Sequence, residues 1–333
     1  MKALVYTQPN EVQLLDQPDP SLQVGEVILK IEAVGICGSD MHAYHGHDPR
    51  RKPGLILGHE FCGTVVESAS AQYGKGTRVT GNPLITCGVC EYCVQGRNNL
   101  CSHRTMVGMT RPGAFAQYMS IPAASLIDMP QDMPSTHAAV TEPAATALHA
   151  INLSMRVLVR PVQECRVLIL GGGAIGMFAA LLLKNYGCTG TTVAEVNPLR
   201  RQQIEQYAQV KTYNPKDSSP AENAYDYVID AVGSKITRTT AFASVKAGGV
   251  IMHIGLQDWA SEIDMRRLTL AEITLLGTYT YTTADLRATV QAIDRGAFGG
   301  LEWLDVRPMT EGAQAFDDLD KGKVASAKLI LQP

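Results

Sequence analysis

The sequence predicts an α/β protein made of a β-rich barrel followed by a doubly wound parallel sheet. Short strand-like runs bounded by Gly, Pro and Asp fill residues 1–135, and this spacing is typical of a barrel. From residue 138 onward, apolar strands alternate with helices. That alternation is the pattern of a parallel sheet with helices on both faces. A length of 333 residues also suits about two domains.

The individual elements follow from local patterns of apolar residues. In the N-terminal part we expect strands at Val27–Ile31, Gly63–Val66 and Thr77–Thr80. An Ala-rich helix at Ala138–Ile151 then leads into the parallel sheet. Its strands are expected at Val167–Leu170, Thr191–Val196, Tyr227–Ile229 and Val250–Ile254, and its helices at Ala174–Tyr186, Pro198–Gln209 and Thr237–Lys246. An amphipathic helix at 283–295 and a strand at Lys328–Leu331 end the chain.

Composition and charge exclude several classes of protein. Lys and Arg total 29 and Asp and Glu total 32, so we expect no nucleic-acid partner and no binding to an anionic membrane. No signal peptide and no bilayer-length apolar stretch is apparent. Eight cysteines are too few for a disulfide scaffold. We therefore expect a cytoplasmic protein whose cysteines serve as metal ligands or catalytic groups.

A glycine-rich turn predicts a dinucleotide site. The run GGGAIG at residues 171–176 follows an apolar strand and opens a helix, which is the context that the G-x-G-x-x-G motif requires. Gly171 would make the tight turn, Gly173 would admit the pyrophosphate, and Gly176 would let the helix pack on the strand. Ala174 and Ile175 begin the helix whose first N–H groups would bind the phosphates.

An acidic residue at the end of the next strand favours NAD over NADP. Glu195 lies 24 residues after Gly171, where a carboxylate can accept hydrogen bonds from the ribose hydroxyls and repel a 2′-phosphate. Arg200 and Arg201 follow closely and could instead bind that phosphate. On balance we expect NAD, with Arg200 near the cofactor.

Four clustered cysteines predict a closed metal site. Cys87, Cys90, Cys93 and Cys101 are spaced C-x2-C-x2-C-x7-C. Four thiolates on a Gly-containing loop can surround one tetrahedral Zn²⁺ and leave no open position, so the role of the ion would be structural. An iron–sulfur cluster also uses C-x2-C spacings, and a zinc ribbon that binds nucleic acid is a third possibility that the low basic charge disfavours.

A second group of residues has the chemistry of an open zinc site. Its candidate ligands are Cys37, His59, Glu60 and Glu142. A catalytic zinc typically has three protein ligands and one exchangeable position. Ser39 and His42 lie close to Cys37 and could carry a proton to solvent. From these residues alone, a buried core thiol and a structural histidine remain open.

These motifs, in this order, resemble the zinc-dependent medium-chain dehydrogenases, and more narrowly their polyol branch around sorbitol dehydrogenase and galactitol-1-phosphate dehydrogenase. The resemblance spans essentially the whole chain. It implies a GroES-like catalytic domain from residues 1–140 and 282–333, and a Rossmann NAD-binding domain from residues 141–281. The active site would lie between them. The edge strand Glu272–Tyr281 would join two copies, giving a homodimer or homotetramer.

The resemblance also implies roles for single residues. Cys37 and His59 would hold the catalytic zinc, with Glu60 or Glu142 as the carboxylate. Ser39 would contact the substrate hydroxyl and His42 would relay its proton. Asp40 would orient His59, and Thr146 would lie near the nicotinamide.

The implied reaction moves a hydride from a secondary alcohol or polyol, possibly a phosphorylated alditol, to NAD⁺ and yields the ketone. Two departures from the sorbitol enzymes put sorbitol itself in doubt. Their polyol-binding Phe-Arg-Tyr is Tyr279-Thr280-Tyr281 here, and the Tyr that follows their relay histidine is Ala43. The alternatives are an amino alcohol such as threonine, or a family member that binds a dinucleotide without turnover. A phosphate could meet residues 50–52, Arg-Arg-Lys, which we otherwise expect to form a solvated loop.

Overall fold

The computed structural model describes all 333 residues and contains eighteen strands and ten α-helices. The strands are β1 (Lys2–Gln8), β2 (Glu11–Asp16), β3 (Glu26–Gly35), β4 (Leu55–Ile56), β5 (Glu60–Ser68), β6 (Arg78–Gly81), β7 (Leu84–Ile85), β8 (Thr105–Met106), β9 (Tyr118–Pro122), β10 (Leu126–Asp128), β11 (Arg166–Leu170), β12 (Gly190–Ala194), β13 (Lys211–Tyr213), β14 (Tyr225–Asp230), β15 (Val245–His253), β16 (Thr274–Gly277), β17 (Asp305–Pro308) and β18 (Leu329–Gln332).

The helices are α1 (Gly38–Tyr44), α2 (Glu91–Val94), α3 (Ser135–Ala139), α4 (Thr141–Met155), α5 (Ala174–Asn185), α6 (Pro198–Tyr207), α7 (Lys235–Ser244), α8 (Met265–Leu270), α9 (Thr283–Asp294) and α10 (Gly312–Asp320). None of them is long and apolar enough to cross a membrane.

The barrel part is built around one seven-stranded sheet. Its order is β10-β6-β5-β3-β18-β17, and β9 also pairs with β3. The last two strands come from the C-terminus of the chain, so both ends of the sequence contribute to this sheet. A second sheet, β2-β1-β4, lies against it, and Phe61, Phe115 and Phe316 fill the core between them. The β-rich, GroES-like prediction is confirmed.

The second part is a six-stranded sheet in the order β13-β12-β11-β14-β15-β16, with every pair parallel. This is the strand order of a doubly wound dinucleotide-binding sheet. One face buries Val167 and Ile169 in a core shared with α4, α5 and α9. The other face buries Leu168 and Leu170 against α7. Both faces are therefore covered, as the continuous apolar strands predict.

Two expected elements differ from those observed. The Ala-rich helix is split, since α3 ends at Ala139 and α4 begins at Thr141. The edge strand is also shorter than the predicted Glu272–Tyr281. Glu272 and Thr280 both have positive φ, at 48° and 46°, and this left-handed conformation confines the strand to Thr274–Gly277.

Candidate functional site

Three of the predicted ligands converge where two strands of the barrel sheet meet. One ligand atom from each of Cys37, His59 and Glu60 lies within 4.8 Å of the others. In the antiparallel register, Gly35 at the end of β3 faces Glu60 at the start of β5. Cys37 lies two residues after Gly35, just beyond the end of β3, and His59 directly precedes Glu60 at the start of β5. The sheet register therefore brings together residues that are more than 20 positions apart in the sequence.

The buried polar atoms of this cluster fit a divalent cation. Glu60 Oε2 is buried and has no hydrogen-bond partner, which is costly unless something binds it. His59 Nδ1 faces Asp40 Oδ1 at 3.5 Å, so the other ring nitrogen is left for the cluster. One thiolate, one imidazole and one carboxylate form a donor set that suits zinc with an open fourth position.

The buried carboxylate of Asp40 acts on both His59 and Cys37. Burial alone would lower the pKa of His59, but the charge of Asp40 raises it well above its usual value. Asp40 accepts a hydrogen bond from the Cys37 backbone N–H at 3.0 Å. Asp40 thus lies against His59 and accepts a hydrogen bond from the backbone of Cys37.

A buried lysine holds Glu60. Lys328 Nζ donates to Glu60 Oε1 at 2.6 Å and to the Ile36 carbonyl at 2.8 Å. Although burial alone would lower it, the Glu60 charge raises the pKa of Lys328. A Cβ on Gly35 would overlap the Glu60 carboxylate, so glycine is needed there. One oxygen of Glu60 is fixed by the lysine, and Oε2 remains free for the cluster.

Glu142 lies near the cluster but outside the set of atoms within 4.8 Å. The Tyr281 hydroxyl donates to Glu142 Oε1 at 3.0 Å, and Tyr281 is fully buried. Burial raises the pKa of Glu142 to about 7, and the neighbouring Glu60 charge acts in the same direction. Thr146 is half-buried one turn further along α4, on the same helix face as Glu142.

Ser39 and His42 lie three residues apart on α1, a spacing that places them on one helix face. His42 is half-buried, and burial together with His47 and His45 lowers its pKa. The Ser39 hydroxyl contacts a group that we did not expect, because Arg51 Nη2 donates to Ser39 Oγ at 3.2 Å. The expectation of a solvated loop at residues 50–52 is wrong for Arg51, whose side chain is 1% exposed.

The contacts of Arg51, Lys328 and Tyr281 are not predicted from the sequence. A lysine at the start of the apolar C-terminal strand was a visible signal, since a charge entering a buried strand needs a partner. Arg51 lies between Arg50 and Lys52, and the local sequence does not indicate which of these three cationic residues is buried. Tyr281 lies in the stretch that departs from the sorbitol enzymes, and we had assigned it no contact.

The glycine-rich turn has the geometry of a phosphate-binding loop. Gly171 has φ of +99°, and a Cβ on Gly176 would overlap the Gly171 carbonyl. A Cβ on Gly173 would instead meet open space. Ala174 and Ile175 are half-buried in the first turn of α5, where backbone N–H groups are unsatisfied by the helix. The turn follows β11, next to β14, at the point where the strand order reverses and such sheets bind ligands.

Glu195 closes the other side of this turn. Its carboxylate accepts hydrogen bonds from Gly172 N–H at 2.8 Å and Asn197 N–H at 2.7 Å. Arg201 Nη1 donates to the Glu195 and Val196 carbonyls, so that guanidinium is bound to the end of β12. Arg200 is half-buried, and its Nε has no hydrogen-bond partner. Of the two arginines, Arg201 is therefore the one bound to the backbone that follows β12, whereas Arg200 makes no such contact.

The four clustered cysteines also meet in space. Ligand atoms of Cys87, Cys90, Cys93 and Cys101 lie within 4.8 Å of one another. The Cys87–Cys101 and Cys90–Cys93 sulfur distances are both 3.6 Å. Sulfurs at ~2.3 Å from a tetrahedral ion would be about 3.8 Å apart, so the set matches a single ion. Backbone N–H groups of Val89 and Cys90 lower the pKa of Cys87 to about 6, which favours a thiolate.

The cysteine lobe, residues 87–101, rests on the segment that carries Tyr281. Asn99 Nδ2 donates to the Tyr279 carbonyl at 2.8 Å, and Asn98 Oδ1 accepts from Thr283 N–H at 3.0 Å. Just beyond the lobe, the Arg104 guanidinium lies 4.8 Å from the centre of the Tyr279 ring. The remaining cysteines are buried thiols of the core, as expected: Cys62, Cys165 and Cys188.

Two family models match the chain. The alcohol dehydrogenase GroES-like domain matches residues 23–131, and the zinc-binding dehydrogenase model matches residues 174–295.

Curated relatives match over most of their length. An L-threonine 3-dehydrogenase of Chelativorans sp. (strain BNC1) is 31% identical and covers 84% of this chain and 83% of its own. An L-galactonate-5-dehydrogenase of Escherichia coli (strain K12) is 29% identical and covers 86% and 85%.

Solved structures share the whole fold. One, described as a zinc-binding dehydrogenase from Sinorhizobium meliloti 1021 bound to NADP, has a TM-score of 0.89 and 28% identity over 100% of this chain and 99% of its own. Acetophenone reductase from Geotrichum candidum NBRC 4597 in complex with NAD has a TM-score of 0.88 and 28% identity over 100% and 97%. With both its fold and its motifs matched, the chain belongs to the zinc-dependent medium-chain alcohol dehydrogenase family, oxidoreductases that use zinc and a nicotinamide dinucleotide.

Proposed function

We propose that the protein oxidises a secondary hydroxyl of an uncharged polyol or related alcohol to a ketone, with NAD⁺ as acceptor. The observation that carries this proposal is the Cys37–His59–Glu60 cluster, an open donor set for zinc in a chain that also has a phosphate-binding turn. Zinc bound there supplies a Lewis acid that lowers the pKa of an alcohol, and the dinucleotide supplies the hydride acceptor.

Glu60, rather than Glu142, is the direct carboxylate ligand in this proposal. A carboxylate oxygen of Glu60 lies within the cluster, Glu60 Oε2 is buried without a partner, and Lys328 holds Oε1. Glu142 lies outside the cluster with one oxygen bound to Tyr281. Glu142 is therefore suited to an outer role, in which it contacts the cluster through water.

The proton of the substrate hydroxyl leaves through residues of α1. Ser39 Oγ accepts it while giving up its own proton, and His42 passes a proton towards solvent. The lowered pKa of His42 keeps this imidazole neutral near pH 7 and able to accept a proton.

NAD is the preferred dinucleotide because Glu195 borders the turn. Its carboxylate is fixed by the backbone N–H groups of Gly172 and Asn197, where it can accept from ribose hydroxyls and repel a 2′-phosphate. Arg201 Nη1 is bound to backbone carbonyls, which disfavours this guanidinium as a partner for that phosphate.

An uncharged substrate is favoured over a phosphorylated one. Arg50 and Arg51 both donate to Asp48, so a substrate phosphate would have to compete with that carboxylate. Lys328, the cation next to the cluster, is bound to Glu60. The runner-up is an amino alcohol, which is supported by the similarity to L-threonine 3-dehydrogenases.

A substrate screen tests this function. We expect NAD⁺ reduction with one or more alditols or neutral secondary alcohols, and at least tenfold lower kcat/KM with their phosphates. Glu195→Ala should raise the KM for NAD⁺ more than that for NADP⁺. Turnover of threonine but of no polyol would favour the runner-up. Higher kcat/KM with NADP⁺ in the wild-type protein would overturn the cofactor choice.

The ligand assignment predicts distinct effects of four variants. Cys37→Ser and His59→Ala should abolish turnover and lose the catalytic zinc, while NADH still binds because the turn at residues 171–176 is separate. The Glu60→Gln variant should lose the catalytic zinc at a lower chelator concentration than the Glu142→Gln variant does. Zinc content, NADH fluorescence and kcat are measured together. Loss of zinc from Glu142→Gln first would reverse the two roles.

The cysteine lobe holds the structural zinc in this proposal, since four thiolates leave no position for substrate. Cys90→Ser should release about one zinc ion per chain and lower the thermal midpoint, because metal binding there contributes to folding. Cys188→Ser, which alters a buried thiol outside both clusters, is the matched control. An unchanged zinc content in the Cys90→Ser variant would contradict the assignment of a structural zinc to the cysteine lobe.

We also propose that the protein is a homodimer, or a homotetramer built from two such dimers, through the edge strand β16. Leu256 and Trp259 near this edge are 75% and 96% exposed, and Trp259 borders a cavity of about 340 Å³ with Leu275 of β16. Exposed apolar groups at a sheet edge are typical of an interface. Trp259→Glu should reduce the mass measured by sedimentation equilibrium, whereas a monomeric wild-type protein would contradict the proposal.

A further inference from the structure

Arg51 is a buried arginine beside the candidate proton path. It lies on the loop between α1 and β4, and its side chain is 1% exposed. Its guanidinium donates to Gly108 O at 3.0 Å, to Ser39 O at 2.9 Å and to Asp48 Oδ2 at 3.0 Å. Burial of a charged side chain costs free energy that only such hydrogen bonds offset. The Arg51 guanidinium therefore occupies a specific, hydrogen-bonded site in the fold.

The remaining contact of Arg51 reaches the Ser39 hydroxyl, since Nη2 donates to Oγ at 3.2 Å. A serine hydroxyl offers one donor and two acceptor positions. Arg51 occupies one acceptor position, and the bond to Ser39 O fixes the backbone beneath it. The hydroxyl is left with one lone pair and one proton, which are the two functions that a proton relay uses.

Arg51 also contacts the segment that packs next to His59. Arg51 Nε is bound to the Gly108 carbonyl, and a Cβ on Gly108 would lie 2.8 Å from Gly58 O. Gly58 directly precedes His59. Arg51 therefore ties α1, which carries Ser39, to the turn packed against the residue before His59.

We propose that Arg51 is a positioning residue that holds the Ser39 hydroxyl ready for proton transfer, an inference that rests on the proposed function. When the substrate O–H bond breaks, a new O–H bond forms at Ser39 Oγ, and Ser39 releases its original proton towards His42. Arg51 keeps all of its protons throughout. The nearby guanidinium charge stabilises the partial negative charge that develops on the oxygens during this transfer. Four of its five N–H donors are used within the chain and its side chain is 1% exposed, so we do not assign it as a substrate-binding cation.

Arg51→Met tests the proposal, with Arg50→Met as the matched control. Arg50 is the adjacent arginine and bonds Asp48 too, but it is 64% exposed and does not contact Ser39. We expect Arg51→Met to lower kcat by about 10- to 100-fold, within the ~10²–10⁴-fold range of general acid–base catalysis. Its zinc content and NADH dissociation constant should stay near those of the wild type. Arg51→Lys should recover part of the kcat, and Arg50→Met should match the wild type.

A double-mutant cycle separates positioning from structural support. If Arg51 acts through Ser39, Arg51→Met should cost much less in the Ser39→Ala background than in the wild type. Equal fold-losses in both backgrounds, or a kcat of Arg51→Met equal to that of Arg50→Met, would overturn the proposal. If Arg51→Met does not fold, the same cycle is run with Arg51→Lys. A Ser39→Ala variant with the kcat of the wild type would instead contradict the proposed proton relay itself.

Discussion

The pairing of three strands at Gly35 is the constraint on which the candidate site depends. Gly35 faces Glu60 of β5 on one side and Ile330 of β18 on the other. The strand that ends here leads within two residues to Cys37, and β18 delivers Lys328 to the Glu60 carboxylate. A side chain at position 35 would occupy the space of that carboxylate. Backbone pairing thus brings the N-terminal ligands close to the C-terminal lysine, and the hydrogen bond from Lys328 to Glu60 then joins the two segments.

The two acids near the cluster are held in different ways. Glu60 is paired with the buried ammonium group of Lys328. Glu142 bonds a neutral phenol, and burial raises its pKa to about 7. The resemblance to the family left both acids as candidates, and these contacts support Glu60 as the proposed direct ligand.

Local patterns in the sequence predicted the parallel sheet and the four-cysteine cluster, whereas the site at Cys37, His59 and Glu60 was assigned through the family resemblance. The apolar runs predict the sheet because its central strands, β11 and β14, are buried on both faces, and the cysteine spacing is short enough to be visible within one loop. The contacts of Lys328 and Arg51 depend instead on pairing between distant segments. Lys328 reaches Glu60 across 268 positions, and Arg51 reaches Gly108 across 57. The edge strand was predicted too long because positive φ at Glu272 and Thr280 is not encoded in apolar periodicity.

The cysteine lobe is connected to the candidate active site by a continuous chain of contacts. Asn99 holds the Tyr279 carbonyl, and two residues later Tyr281 holds Glu142. Asn98 fixes Thr283 on the other side of the same segment. The segment between these anchors contains Thr280 in the left-handed conformation, which bulky or branched residues adopt only when their surroundings enforce it. A metal ion that ordered the lobe would therefore also order the segment that supports Glu142. A closed cysteine site has no room for a substrate, but through these contacts it would help to position the candidate active site.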